Sequence, residues 1–307
     1  MNDAVIANSE TAIAEGSQSF AAAARLFDQR TRQDAVMLYA WCRHCDDIID
    51  GQVLGHAQKD DFRSGQQQRL DLLRLQTAAA LRGDRVDDPV FEALRRVVER
   101  HRIPSRHPEE LLDGFEMDVR NRSYASISDT LDYCYHVAGV VGVMMAMIMG
   151  VRDAETLDRA CDLGLAFQLT NIARDVVDDL HAGRLYLPAD VLARHGVVNP
   201  DPEDMAQRPA LHSAALELLE LAEAYYASAY AGLAFLPPRS AWAIAAARRV
   251  YRAIGDKVRS GGPAAWNRRI STSKAEKSAL LALALGDVAR TRVVKPAVQR
   301  TGLWQRP

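Results

Sequence analysis

At 307 residues, with 48% apolar and 25% charged side chains, the chain has enough material for a sizeable core in one large domain or two ordinary ones. Its 38 basic residues against 40 acidic give a formal net charge of -2, which excludes the broadly basic face of a nucleic-acid-binding protein, so any anion site must be local. The first residues carry Asp3, Glu10 and Glu15 without a positive n-region, so no secretory or transit peptide is read there and a frayed, cytoplasmic start is expected over 1–15.

Three-to-four periodicity with Gly and Pro punctuation recurs along the chain, and alternating strand patterns are scarce, so the spacing predicts an all-α protein. Ser17 and Ser19, ahead of Phe20 and a run of alanines, suit either the cap of a first helix or a phosphate at its N-terminus. The next helix is expected from Thr31, as N-cap, to Gly51. Its body over 35–42 is apolar almost all round, so its acidic end, Asp46-Asp47-Ile48-Ile49-Asp50, belongs at the mouth of an interior space. Cys42 and Cys45 form a C-x-x-C, but Cys134 and Cys161 are not spaced as a second ligand pair, so core packing is the simpler reading.

Outer helices are expected near 62–81 and 89–102. The segment 111–121, with Asp113, Glu116 and Asp118, reads as a solvated charged face. In 131–150, Tyr133, Cys134, Tyr135 and His136 lead into Val137-Ala138-Gly139-Val140-Val141-Gly142. Small residues there suit either close helix packing or the wall of a pocket for a greasy chain. The apolar run 137–149 is short for a membrane span.

The helix expected over 154–180 carries two stripes. Leu165, Leu169, Ile172, Val176 and Leu180 make one; Gln168, Asn171, Asp175 and Asp178 or Asp179 make the other, with amides and carboxylates in place of solvated Lys–Glu pairs. Asp46 with Asp50, and Asp175 with Asp179, are four apart and share a helix face, about 6 Å apart along the axis. Charges about 4 Å apart repel by roughly 4 kcal/mol at an effective dielectric near 20, so something positive must lie between them. Hard carboxylate oxygens suit Mg²⁺ shared with substrate phosphates, which predicts a magnesium–diphosphate site between two facing helices. The following turn, His181 to Pro188, can fold Arg184 and Tyr186 over the acidic end.

Further helices are expected over 211–235 and 240–258. The stretch 290–307 holds Arg290, Arg292, Lys295, Arg300 and Arg306 without an acid, plus Leu303-Trp304, and suits either a solubilising tail or contact with an anionic membrane. With no repeat beyond the acidic pairs and no long linker, 16–289 reads as one domain.

Four motifs carry a resemblance: D-x-x-x-D at 46–50, N-I-x-R-D-x-x-x-D at 171–179, Y-C-Y-x-V-A-G-x-V-G at 133–142 and R-x-Y-x-P at 184–188. Together they resemble the squalene and phytoene synthase family over about 16–269, on the bacterial phytoene synthase side. The resemblance implies an all-α isoprenoid synthase fold around an apolar channel and head-to-head coupling of two molecules of geranylgeranyl diphosphate. It also implies Mg²⁺, with Mn²⁺ as a substitute, held by Asp46, Asp50, Asp175 and Asp179 with Asn171 and Gln168 beside them. Arg43, Arg174, Arg184, Tyr186, Tyr251 and Arg268 would contact phosphate, Ser17, Ser19 and Phe20 would close the entry, and Tyr133 would sit at the reacting centre. No NADPH is expected. A peripheral membrane contact and later enzymes of carotenoid synthesis are the partners it suggests. Three alternatives stay open: a C30 dehydrosqualene or squalene synthase, a head-to-tail prenyltransferase or terpene cyclase, and a helical protein whose acids only bind divalent metal.

Overall fold

The computed structural model describes residues 4–16, 18–52, 62–294, 296 and 298–307, with backbone alone at 15, 16, 18 and 19. These residues form helices α1 (Ala4–Gly16), α2 (Gln18–Ala24), α3 (Gln29–Asp50), α4 (Gln66–Leu81), α5 (Pro89–His101), α6 (Arg106–Val119), α7 (Ile127–Cys134), α8 (Val140–Ile148), α9 (Ala154–His181), α10 (Ala189–Arg194), α11 (Arg208–Gly232), α12 (Pro238–Gly261) and α13 (Lys274–Val293). Among the described residues there is no strand, as the periodicity predicts.

α3 and α9 are the interior helices. Ala35 to Leu38, Ala40 and Trp41 of α3 are buried, and α3 packs against α1, α4, α5, α6 and α8. α9 lies along α11 and also meets α8 and α12. α3 starts at Asp28 and not at Thr31, because the Asp28 carboxylate accepts from Thr31 N at 3.0 Å and from Thr31 Oγ1 at 2.7 Å. It stops at Gly51, whose left-handed φ of 61° suits a glycine.

Three segments differ from the sequence reading. The N-terminus is not frayed over residues 4–16: Val5, Ser9 and Ile13, four apart, make the buried stripe of α1, which packs on α3 and α5. The segment 274–293, left unassigned above, is α13, started by a capping box between Ser273 and Glu276 and packed on α12. The end of the tail lies on the protein as a strap: Arg300 Nε donates to Asp162 at 2.7 Å, Arg306 Nε to Asp158 at 2.6 Å, and the Trp304 ring lies 5.3 Å from that of Tyr135. Two of the basic groups offered above to a membrane are therefore paired with acids of α9.

α7 and α8 are one rod, Ile127–Ile148, joined by a π turn at Tyr135–Gly139. At 22 residues this rod is long and apolar enough to cross a membrane, more than the 137–149 run suggested, because it continues backwards through the tyrosines; 67% of its most apolar window is buried in the protein. Here close packing and a pocket wall coexist. A Cβ at Gly142 would strike the Ala160 carbonyl and one at Gly164 the Ala138 carbonyl, so the backbones of α9 and this rod touch. Cys42 is partly buried and Cys45, Cys134 and Cys161 are buried, all as free thiols; burial pushes Cys42 up to about 12.

Candidate active site

Between α3, α6, the α7–α8 rod, α9, α11 and α12 lies a cavity of about 380 Å³ with two unlike ends. Arg43, Asp46, Asp118, Gln168 and Asn171 line the polar end, with Tyr39, Tyr133 and Tyr251 beside them. Apolar groups line the rest, among them Val137, Val141, Met145, Leu163 and Phe167. The shape suits a ligand with a charged head and a hydrocarbon chain.

At the polar end each acidic pair is partly met by arginine. Arg43 Nη1 donates to Asp46 Oδ2 at 2.6 Å and lies 3.8 Å from Asp47. Arg174 Nε donates to its neighbour Asp175 at 2.7 Å. Arg184 crosses from the end of α9 to the end of α3, where Nη1 donates to Asp50 Oδ2 at 3.1 Å and Nη2 pairs with Oδ1. The turn that permits this has Gly183 at φ 68°, and Arg184 N donates back to the Asp179 carbonyl at 2.8 Å.

The compensation is incomplete. Burial, then the Asp50 charge, push the Asp46 carboxyl up to about 7. Burial and Asp175 push the Asp179 carboxyl well above its ordinary range although the Arg184 and Arg174 charges act the other way, and among the described residues no arginine or lysine side chain hydrogen-bonds to that carboxylate. Asn171 Nδ2 donates to Gln168 at 3.3 Å, while Asn171 Oδ1 is buried without a partner. A row of acceptors short of positive charge is what a hard cation satisfies.

The tyrosines form a second layer. The Tyr133 and Tyr186 rings stack with centroids 4.7 Å apart, and both hydroxyls donate to Asp118, at 3.1 Å and 2.7 Å. Tyr251 stacks on Phe167 at 4.1 Å, and Phe20 on Tyr39 at 5.2 Å. Burial above all raises Asp118 to about 6, although Arg184 and the two hydroxyls act the other way.

Comparison with known proteins fits this geometry. The family model described as Squalene/phytoene synthase matches residues 13–276. The chain belongs to the squalene/phytoene synthase family. It is 56% identical to a protein named 15-cis-phytoene synthase from Paracoccus sp., covering 100% of this chain and 99% of that one. It is 51% identical to one of the same name from Pantoea ananas, with the same coverage. Among solved structures, a dehydrosqualene synthase in complex with ligand matches at a TM-score of 0.81 and 27% identity, over 93% of this chain and 97% of that one. The all-α isoprenoid synthase fold expected above is thus the fold found.

Of the residues the family resemblance singled out, Phe20, Arg43, Asp46, Tyr133, Gln168, Asn171 and Tyr251 line one cavity. Tyr186 stands behind them, stacked on Tyr133 and bonded to Asp118, while Asp50 with Arg184 and Arg174 with Asp175 are paired with each other, and these four and Asp179 are not among the lining residues. Burial raises Tyr251, while the charges of Arg174 and Arg43 oppose that shift. Ser17 and the side chain of Ser19 lie outside the described residues. Arg268 is exposed after the 3₁₀ turn Gly262–Asn267 and makes no hydrogen bond or ion pair with these acids among the described residues. Asp118, read as part of a solvated face, is instead a half-buried member of the site. Leu111, Phe115 and Asp118 all line the cavity, so a carboxylate on an apolar i, i+4, i+7 stripe is the signal that would have found it.

Among the described residues no three His, Cys, Asp or Glu side chains gather as a metal cage. The donor set nevertheless fits Mg²⁺, which takes one or two carboxylates per ion and completes its shell with water and phosphate oxygens. The unpartnered Asn171 Oδ1 and the incompletely compensated Asp179 are the groups it would satisfy.

Proposed function

We propose that the protein is a phytoene synthase, a prenyltransferase that couples two geranylgeranyl diphosphates head to head to phytoene and two diphosphates in carotenoid biosynthesis. The observation that carries this is the end-to-end likeness, at 56% identity, to the Paracoccus protein of that name. The cavity supports it, being polar at one end and apolar along its length.

In this reading Asp46, Asp50, Asp175 and Asp179, with Asn171, hold Mg²⁺, or Mn²⁺ in its place. When bound, the ions supply Lewis-acid stabilisation of the departing diphosphate, worth several kcal/mol. Arg43, Arg174 and Arg184 already stand at the acids and share their remaining N–H groups with phosphate oxygens, which orients the head group and stabilises the charge it gains as the C–O bond breaks. The double bond of the second chain attacks the allylic cation, and loss of a first proton to the departed diphosphate closes the ring of a cyclopropyl diphosphate. This ionises in turn, rearranges and loses a proton to the released diphosphate.

The tyrosines offer faces to these cations. Both Tyr133 and Tyr186 spend their hydroxyl protons on Asp118, and burial raises their phenols further, so they stay neutral and the Tyr133 ring is what the channel meets. A desolvated ring face contributes about 1–2 kcal/mol to a nearby cation. Val137, Val141 and Met145 keep water away from it. A triene formed by proton loss requires no hydride, so the reading takes no NADPH. The product is a hydrocarbon, so delivery to a bilayer or a following enzyme belongs to this reading, and co-sedimentation with anionic vesicles reports it.

The likeness to a dehydrosqualene synthase favours a second reading with the same mechanism on C15 chains. Product analysis separates the two. Purified protein with Mg²⁺ is given geranylgeranyl or farnesyl diphosphate, with and without NADPH. A C40 triene without NADPH is expected; a C30 product moves the substrate, and no diphosphate release from either overturns the enzyme reading.

A further inference from the structure

We propose that Arg159 is the end-stop of the channel and sets the longest prenyl chain it accepts; this rests on reading the cavity as the site of the prenyl chains. α9 runs down the cavity wall from Asn171 at the polar end through Gly164 and Ala160 to Arg159 and Thr156. Asn171 and Arg159 are twelve residues apart on this helix, about 18 Å of rise. The same lining holds Met149, Thr156, Gly232 and Leu236, so Arg159 stands at an otherwise nearly apolar end.

That side chain is 8% exposed and fastened from three directions. Nη1 faces Ser228, at 3.3 Å from its carbonyl and 3.4 Å from its Oγ; Nη2 donates at 2.9 Å to Glu155 and at 2.9 Å to the carbonyl of Val298 in the C-terminal strap. Nε is buried with no acceptor. On its far side Arg159 also lines a separate surface cleft of about 620 Å³ with Asp158, Ala231, Phe235, Gln299 and Arg300. Arg159 therefore borders both the far end of the channel and the outer cleft. Gly232 backs it, since a Cβ there would lie 3.1 Å from the Arg159 Cβ.

A leucine or methionine floor yields to a longer chain by changing rotamer. Arg159 does not, because moving it breaks its hydrogen bonds and leaves a cation against hydrocarbon. The stop is set by charge and fastening as well as by bulk.

The test compares wild type, Arg159→Ala and Arg159→Met on geranylgeranyl diphosphate and on the C25 homologue, scoring kcat/KM for each substrate and the product mass. Both variants are expected to keep C40 synthesis and to raise the C25-to-C20 ratio of kcat/KM at least tenfold, with the alanine variant ahead. A folded alanine variant, with unchanged circular dichroism and an unchanged ratio, overturns the proposal. If the alanine variant does not fold, the methionine variant, which keeps most of the bulk, decides by the same ratio. Wild type inactive on the C20 substrate would overturn the channel reading and the end-stop with it, whereas an active wild type with an unchanged variant ratio strikes the end-stop alone.

Discussion

Arg184 and Asp50, 134 positions apart in sequence, form the ion pair that ties the end of α9 to the end of α3. Both side chains are about one-seventh exposed, at 15% and 14%, so the pair is largely out of water. Removing one partner of such a pair typically costs about 3–5 kcal/mol, because the other charge is left stranded. Arg184→Leu is expected to destabilise the metal-free protein by roughly 3 kcal/mol in urea titration. Adding Asp50→Asn should recover most of that loss while leaving activity at background. A double variant as unstable as the single one would mean that the pair is not what joins the helices.

Asp118 gives a pH signature. Its folded carboxyl sits near 6, above the ordinary value of 3.8, and is faced by Arg184, Asp50, Tyr133 and Tyr186. A carboxyl raised by folding favours the fold below pH 4, and this advantage is lost as pH rises through 6. Asp118→Asn should therefore gain stability relative to wild type between pH 4 and pH 7, by on the order of 2 kcal/mol in chelator-treated protein. Activity should fall at least tenfold, because the amide accepts through one oxygen where the carboxylate serves two tyrosines. An unchanged stability difference across that pH range would rule out the burial argument.

Metal and diphosphate are expected to bind together. Each ion would find too few protein donors alone, so Mg²⁺ with inorganic diphosphate should raise the melting temperature more than either component. Ligand at a hundredfold excess over Kd adds about 2.7 kcal/mol. Asn171→Ala, which removes the unpartnered buried oxygen, should weaken the joint effect. Equal stabilisation by diphosphate in excess chelator would count against a shared metal site.

Two glycines test the packing. Gly164→Ala forces a methyl into the Ala138 carbonyl and should destabilise by at least about 1–3 kcal/mol, with loss of activity because the channel wall shifts. Gly286→Ala, in α13 with nothing within 4 Å of the added carbon, should stabilise by about 1 kcal/mol. Thermal melts of the two variants should move in opposite directions.

Much of the site was legible because its acids lie at helical spacing and each pair has an arginine within a few positions. Local patterns of that kind survive in one dimension. Asp118 did not stand out, since its partners are 15 and 68 residues away and its own helix carries other acids. The strap was misread for the same reason: Arg300 and Arg306 look unpaired until α9 brings Asp162 and Asp158 to them from 138 and 148 positions away. α13 was missed although its Ser273-x-x-Glu276 start is visible, because its buried side is thin, with only Ala284 and Thr291 fully covered.

The π turn between α7 and α8 works as a phase shifter in the channel wall. Before it, Tyr133 faces the cavity; within it, Tyr135 turns away and donates to Glu110 at 2.7 Å while Val137 and Ala138 line the cavity; after it, Val141 and Met145 continue that face. Deleting one residue from the turn would wind it back to an ordinary helix and rotate everything downstream by about 100°. Val141 and Met145 would leave the channel, and Gly142 would lose its contact with α9. The number of residues in this turn is therefore as much a part of the channel wall as the side chains it carries.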